Sequence, residues 1–514
     1  LLLPTPRFAV SARFALLTLC AALSVAFAAP AQRLALVPLD SRPVTRLLPV
    51  KIGQLTGARV STPDVTLLGT AERGANQAGL RAWIRGQGGY ALPETAGAAP
   101  TVSAARPAPI ARPTRAGRVR ARTARFRPRR AVFRPHTRPK SVPPSLPSPG
   151  TPRPGIGSAP WVADALVVSL DALAYGGLVQ SRSNPLPAEE AVRNLSVVRE
   201  WREKTGKPVY ASITLPRAKD ARYRERNYAV ILEMLRWARE GVFEELRVTW
   251  DDAHEGSPAL AEAAALQAIA PAKVLMYPGA DEVLASLAVR AVAPAPKTLR
   301  VVYADPDAAR DTAHYDGVPL QGTVAAHARA NGFTLTPGDA DLTLFVYNGG
   351  DPVAAARDIA RLAARPLAVA DLLQVNTAFA PLWQHLRQEN VVPRLRALGA
   401  WGTPGNNVGS ALSHAKMTLE ADLDRDAARD LLAYEYANDV LFSSKVRAQL
   451  QREFRPDELS SARAQRRLYD IARDEVQPHF PEGTYEVTRS RLPWGRAFEW
   501  EAELTFYPDE HDKP

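Results

Sequence analysis

Two adjacent carboxylates, Asp251 and Asp252, stand directly after the apolar run Leu246–Trp250. A neighbouring pair at a strand end suits acid/base work in which one acid orients a group and the other moves a proton. Glycosidases that use the acetamido group of their own substrate are built this way. The same residues could instead cap a helix opening near Pro258, and both readings stay open. The pattern recurs along the chain. Leu34–Leu39 runs into Asp40, Ala165–Leu170 into Asp171, Leu342–Tyr347 into Asn348 and Pro366–Ala370 into Asp371, while Val274–Tyr277 leads to Asp281 and Glu282. Short apolar runs bounded by turn residues read as buried parallel strands, and ligands bind beyond the carboxyl ends of such strands. Together these residues read as the rim of one polar site.

Other side chains near those ends could hold a ligand. Arg42 offers a planar fork for carboxylate, phosphate or vicinal hydroxyls; pairing with Asp40 to fix the loop is the alternative. Tyr175, followed by Gly176 and Gly177, would let the backbone approach a ligand while supplying a ring or a hydroxyl. Arg182 and Arg217 add positive charge, and Lys219 and Asp220 read as turn chemistry. Asp281 and Glu282 form a second acid pair or an acidic helix start. No H-E-x-x-H is present, and His254, His314 and His327 are dispersed. No metal ligands are assigned and no cofactor is expected, although a carboxylate pair can hold a divalent cation. No G-x-G-x-x-G or P-loop follows a strand, and no G-x-S-x-G elbow is present.

The elements that must position these residues alternate between strand and helix. Strands are expected at Leu34–Leu39, Arg59–Thr62, Ala165–Leu170, Val209–Thr214, Leu246–Trp250, Lys273–Tyr277, Leu299–Tyr303, Leu342–Tyr347, Pro366–Ala370 and Leu395–Ala400. Helical patterns fall between most of them, as at Ala188–Lys204 and Arg222–Glu240. Repeated βα units mean an α/β fold with parallel strands. Two layouts fit: a TIM-like barrel with extra units, or two doubly wound lobes divided near residue 295. Polar motifs on so many strand ends favour the barrel slightly, because all its strand ends converge. After Gly409 the pattern changes. Arg425–Gln451 and Leu459–Val476 read as long amphipathic helices and Phe498–Tyr507 as an edge strand, giving a helical C-terminal region over 411–514.

The chain has 514 residues and a formal charge of +12, but between Thr95 and Gly157 fourteen Lys/Arg occur with no Asp or Glu. Without that stretch the chain is slightly acidic, so no general or specific nucleic-acid surface is expected on the α/β body, 29–94 and 158–410. Residues 95–157 are rich in Pro, Ala and Arg, cannot supply a core and read as a disordered insert in a connecting loop. An anionic polymer or membrane surface is the partner such an arm would take. Replacing residues 95–157 with a short Gly/Ser linker should leave the melting temperature nearly unchanged, since closure entropy grows slowly with loop length. A large drop would show that the segment packs on the body. At the N-terminus, Arg7 and Arg13, the apolar Phe14–Phe27 and the Ala26-Phe27-Ala28 site read as an export signal over 1–28. An uncleaved signal would instead anchor the chain to the membrane. Cys20, the one cysteine, lies inside this segment, so cleavage would leave no thiol for disulfides or nucleophilic catalysis.

Several stretches, in order, resemble an uncharacterised bacterial family, the domain of unknown function (DUF) 4127 family. They are Val37–Pro43, Ser169–Asp171 with Tyr175–Leu178 and Ser181-Arg182, Asp251-Asp252, Gly279–Glu282, Trp401–Gly409, and Leu492–Trp494 with Arg496, Phe498 and Glu499. The family tends to show Trp-Asn-Thr where this chain has Trp401-Gly402-Thr403, which leaves Asn406 or Asn407 to supply an amide. The resemblance carries no established activity. From the residues, the expected function is an exported, periplasmic or extracellular hydrolase of a polar, carbohydrate-containing substrate. Asp251 and Asp252 would be the catalytic pair. Asp40, Arg42, Asp171, Tyr175, Arg182, Arg217, Asp281, Glu282 and Asn406 would hold the polar small molecule or glycan. A periplasmic binding protein for a sugar-like ligand is the alternative.

Overall fold

A computed structural model describes residues 31–90, 162–250 and 252–509. The expected export signal, the whole insert and Asp251 lie outside the described residues.

The first sheet has six strands: β1 (Arg33–Val37), β2 (Arg59–Ser61), β3 (Ala165–Ser169), β4 (Val209–Leu215), β5 (Glu245–Trp250) and β6 (Val274–Pro278), all parallel, in the order β2-β1-β3-β4-β5-β6. Side chains alternate between faces along each strand. Ala35, Val37, Leu166 and Val168 therefore pack on one side, against Leu80 and Ile84, Leu195 and Trp201, and Val230 and Met234 of three helices. Leu34, Leu36, Ala165 and Val167 pack on the other, against the helix Val283–Val292. Burial on both faces explains why these strands read as continuous apolar runs.

The second sheet repeats the plan. Its strands are β7 (Lys297–Tyr303), β8 (Phe333–Leu335), β9 (Leu342–Tyr347), β10 (Leu367–Asp371) and β11 (Ala397–Gly399), parallel and ordered β11-β10-β9-β7-β8. Leu342, Leu344 and Val346 meet the helices Leu320–Ala330 and Pro404–Met417. Phe345, Leu367 and Val369 join the core beneath the C-terminal region.

Both sheets are open and doubly wound. Their outer strands pair on one side only, so the slightly favoured barrel is not what the described residues form. The polar strand ends that suggested a barrel are divided between two sheets, each with its own switch point where the winding reverses. In the first sheet that point falls between β1 and β3, where Asp40 and Asp171 follow.

The C-terminal region is helical over Arg425–Glu435, Arg447–Glu453 and Ala462–Glu475, with a π-helical segment, Tyr436–Val446, inside what the sequence read as one long helix. Its expected edge strand belongs to a three-stranded antiparallel sheet, β12 (His479–Phe480), β13 (Gly483–Arg491) and β14 (Glu501–Pro508). Trp500 stacks on Phe442 of the π-helical segment at 4.9 Å, with ring planes 2° apart, and ties this sheet to the helices. Among the described residues no helix is long and apolar enough to cross a membrane.

Candidate functional site

The loop after β1 is built around Asp40. Its carboxylate accepts the Arg42 backbone N–H at 3.0 Å and the Thr45 hydroxyl at 2.8 Å, and Pro43 then opens a short helix. This turn aims the Arg42 guanidinium at two carboxylates. Its Nε and Nη2 donate to Asp40, the latter at 2.7 Å; its Nη1 and Nη2 donate to Asp281 at 2.9 and 2.5 Å. A guanidinium carries five N–H donors, so one Nη1 hydrogen remains without a partner among the described residues. Burial works against the charged guanidinium, but Asp281 and Asp40 outweigh it and hold its pKa raised. Both readings of Arg42 thus meet in one residue: it pairs with Asp40, and it faces the strand ends. Trp494 lies over the guanidinium at 5.2 Å and donates from Nε1 to the Ser41 hydroxyl at 2.9 Å, so the Leu492–Trp494 stretch closes over this loop.

Asp281 and Glu282 follow β6. Gly279, at φ 156°, allows the turn; a Cβ there would sit 2.2 Å from the Glu282 carboxylate. Glu282 is 1% exposed, and burial pushes its pKa up to about 8. Its Oε2 accepts Ala280 N–H at 3.2 Å, while Oε1 lies 3.9 Å from Nδ1 of buried His327. The other imidazole nitrogen, Nε2, meets the Pro278 carbonyl at 2.9 Å and donates to it, and burial lowers His327 to about 4, so the ring is neutral. Asp316, from the loop after β7, is buried and raised to about 7, first by burial and also by the Asp252 charge. That loop crosses the end of β5: Trp250 Nε1 donates to the Asp316 carbonyl at 2.8 Å, and Ala253 N–H to Tyr315 at 2.7 Å.

Asp252 sits at φ 51°, a left-handed conformation uncommon for a residue with a side chain, and forms an ion pair with Arg217. It is not the cap of the next helix, whose N-cap is Ser257. Arg182 joins the two halves of the cluster. Burial lowers it to about 10, and it feels the charges of Arg217, Asp252, Arg42 and Asp281. Arg42, Arg182, Arg217, Asp40, Asp252 and Asp281 therefore form one charged neighbourhood.

Other expected site residues have different places. Asp171 is fully buried; its Oδ2 accepts Thr214 N–H at 3.1 Å, tying β3 to β4, and burial raises it to about 7. Tyr175 is also buried, under the Arg226 guanidinium at 4.6 Å. Gly176, at φ 98°, serves close packing: a Cβ would lie 2.9 Å from Gly74 Cα. Both residues lie behind the surface rather than on it. Asn348 clasps Asp305 by two hydrogen bonds, 3.0 and 2.8 Å, closing the second sheet's switch point on itself. Asp371 accepts from Phe379 N–H and Trp383 Nε1 at 2.7 and 2.8 Å. The rim of one site is thus confined to the first sheet, because the acidic and amide ends of β9 and β10 are consumed by their own loops. Asn407 accepts Trp401 and Gly402 N–H at 3.0 and 2.7 Å and donates to the Asp371 carbonyl at 2.9 Å, which fixes the turn. Asn406 is the amide left over, with a buried Oδ1 that has no partner among the described residues. Glu282, Asp316 and His327 are brought together by contact between the lobes; for Asp316 and His327 no strand-end pattern could have pointed there. Among the described residues no three His, Cys, Asp or Glu side chains converge to hold a metal ion.

The buried acids set a pH dependence. Folded Glu282 keeps its proton up to about pH 8, whereas in the unfolded chain it loses it near 4.5. Between those values the folded state binds the extra proton, so stability falls as pH rises. His327 acts oppositely between about 4 and 6.5, where the unfolded chain binds the extra proton and stability rises with pH. Asp171 and Asp316, raised to about 7, act in the same direction as Glu282 and outweigh His327, so stability falls with rising pH up to about 7, and from there to about 8 the loss from Glu282 remains. The melting temperature should fall across that upper window, and fall less in Glu282→Gln. An equal slope in both proteins would contradict this assignment.

Fold and site together define a two-lobed, doubly wound α/β protein with an arginine–carboxylate cluster at the switch-point edge of its first sheet. The chain belongs to the family described as "Protein of unknown function (DUF4127)", whose model matches residues 34–91, 161–223 and 219–503. No curated protein and no solved structure matches it.

Proposed function

We propose that the chain is an exported hydrolase of a polar, carbohydrate-containing envelope or extracellular substrate, acting at the carboxyl edge of the first sheet. The observation that carries this reading is the surroundings of Asp252. It is a partly exposed carboxylate in a left-handed backbone position, its side chain 18% exposed, beside Arg217 and within the field of Arg182 and Asp281. Asp316, raised to about 7, lies close enough to feel its charge. A buried acid that keeps its proton to about pH 7 can serve as a proton donor beside a second, more exposed acid. In this reading Asp252, with Asp251 beside it in sequence, orients the reacting group or moves its proton. Arg42, Arg182 and Arg217 bind substrate oxygens, and Asn406 supplies a further amide. Asp40 and Asp281 hold Arg42 in place, and Asp171 and Tyr175 support the loops from behind.

A second reading, a non-catalytic binding protein for a sugar-like ligand, is favoured by one observation: two doubly wound sheets of the same strand order, a layout that suits a ligand held between lobes. Incubating the protein with aryl N-acetylhexosaminides and envelope fragments separates the two. The hydrolase reading expects product release; ligand recovered unchanged supports the binder.

A further inference from the structure

A partly open cavity has Arg42 on its wall. Four aromatic side chains, Trp401, Tyr434, Phe498 and Trp500, form much of its wall. The polar part comes from the helix Pro404–Met417, which gives Ser410, and from the following helical stretch, which gives Glu435, Asn438 and Asp439. π-Helical turns are rare and concentrate at functional sites; here one carries Asn438 and Asp439 onto the wall.

Two acceptors on this wall are buried and unsatisfied. Ser410 Oγ and Glu435 Oε1 have no hydrogen-bond partner among the described residues, and the residues are 2% and 4% exposed. Leaving such groups buried and unpaired is unfavourable, which marks them as places for a partner. Asp439 is different: its oxygens already accept Ala400 N–H at 3.1 Å and Asn438 Nδ2 at 2.8 Å. Glu435 is aimed by His414, whose Nδ1 lies 2.8 Å from Oε2 and leaves Oε1 open.

Charge decides the ligand class. The aromatic faces already carry cations: Lys51 lies over Tyr434 at 5.4 Å and Arg447 over Phe498 at 5.3 Å, with Arg42 on the wall itself. A further cation would be repelled by all three. An anion would meet Glu435, Asp439 and Glu499. What remains is a neutral ring with an apolar face for the aromatics and hydroxyl hydrogens for the open acceptors. We propose that this cavity is a subsite for a neutral sugar ring, with hydroxyls donating to Ser410 Oγ and Glu435 Oε1. Its place as part of a longer substrate rests on the hydrolase reading; sugar binding itself does not.

The test titrates the full chain with methyl glycosides of glucose, galactose and N-acetylglucosamine, followed by saturation-transfer NMR and tryptophan fluorescence. Glucosamine and glucuronate serve as cationic and anionic probes. At least one neutral glycoside should bind, more tightly than either charged probe, and Ser410→Ala and Glu435→Gln should each weaken it roughly tenfold, as loss of one buried hydrogen bond does. Thermal melts of both variants establish that they fold; if one does not, the other carries the test. Absence of binding to every neutral glycoside, tighter binding of a charged probe, or unchanged affinity in the folded variants would overturn the subsite. Bound but uncleaved glycosides would count against the hydrolase and leave the subsite standing. Cleavage with KM unaltered in both variants would do the reverse.

Discussion

Replacing Arg42 by methionine should destabilise the fold by about 3–5 kcal/mol, the usual consequence of stripping one partner from a buried ion network. Asp40 and Asp281 have side chains only 3% and 9% exposed, and both direct their oxygens at this one guanidinium. Methionine fills the space but leaves two carboxylates facing each other without the guanidinium that both accept from. Converting Asp281 to Asn in the methionine background should recover a large part of the loss, because the repulsion then disappears. Urea unfolding of wild type, the single variant and the double variant measures both effects. A loss of under about 1 kcal/mol, as for an exposed ion pair, would show that the Asp40–Arg42–Asp281 network is not the brace between the ends of β1 and β6.

Asp252→Asn should lower turnover by about 10²-fold or more, the ordinary worth of a positioned acid or base, while stability barely moves. The substitution keeps the shape and most hydrogen-bonding capacity but removes the charge that faces Arg217. A helix-capping role would give the opposite pattern, and since Ser257 occupies the cap position, the capping loss of about 0.5–2 kcal/mol is not expected even for Asp252→Ala. Measuring kcat/KM and the unfolding midpoint on the same variants separates the roles.

The sequence was most informative where burial on both faces of a sheet imposes one continuous apolar run. Leu342–Tyr347 is a strand to the residue, and the other expected parallel strands fall within a few residues of their observed ends. Phe333–Leu335 escaped because it is short and its last two residues are exposed. Gly483–Arg491 escaped because charged and hydroxyl side chains cover one face of an antiparallel strand. The barrel preference came from counting polar strand ends without knowing which were spent: nothing local distinguishes Asp371, bonded to Trp383, from Asp281, bonded to Arg42. For the same reason Asp171 and Tyr175 looked like ligand contacts, although both lie beneath the surface they support. Asp316, His327 and Glu435 were invisible as site residues, since each gains its meaning from a partner far away in sequence.

In the proposed hydrolase, the carboxyl edge of the first sheet performs hydrolysis with Asp252. The most direct measurement follows product release and ligand binding together, for wild type and Asp252→Asn, across aryl N-acetylhexosaminides and envelope fragments. A hydrolase of this design cleaves at least one compound as wild type, and as Asp252→Asn binds it with similar affinity but leaves it intact. A ligand bound alike by both proteins, with no member of the panel turned over by wild type, would contradict it and establish the binding-protein reading.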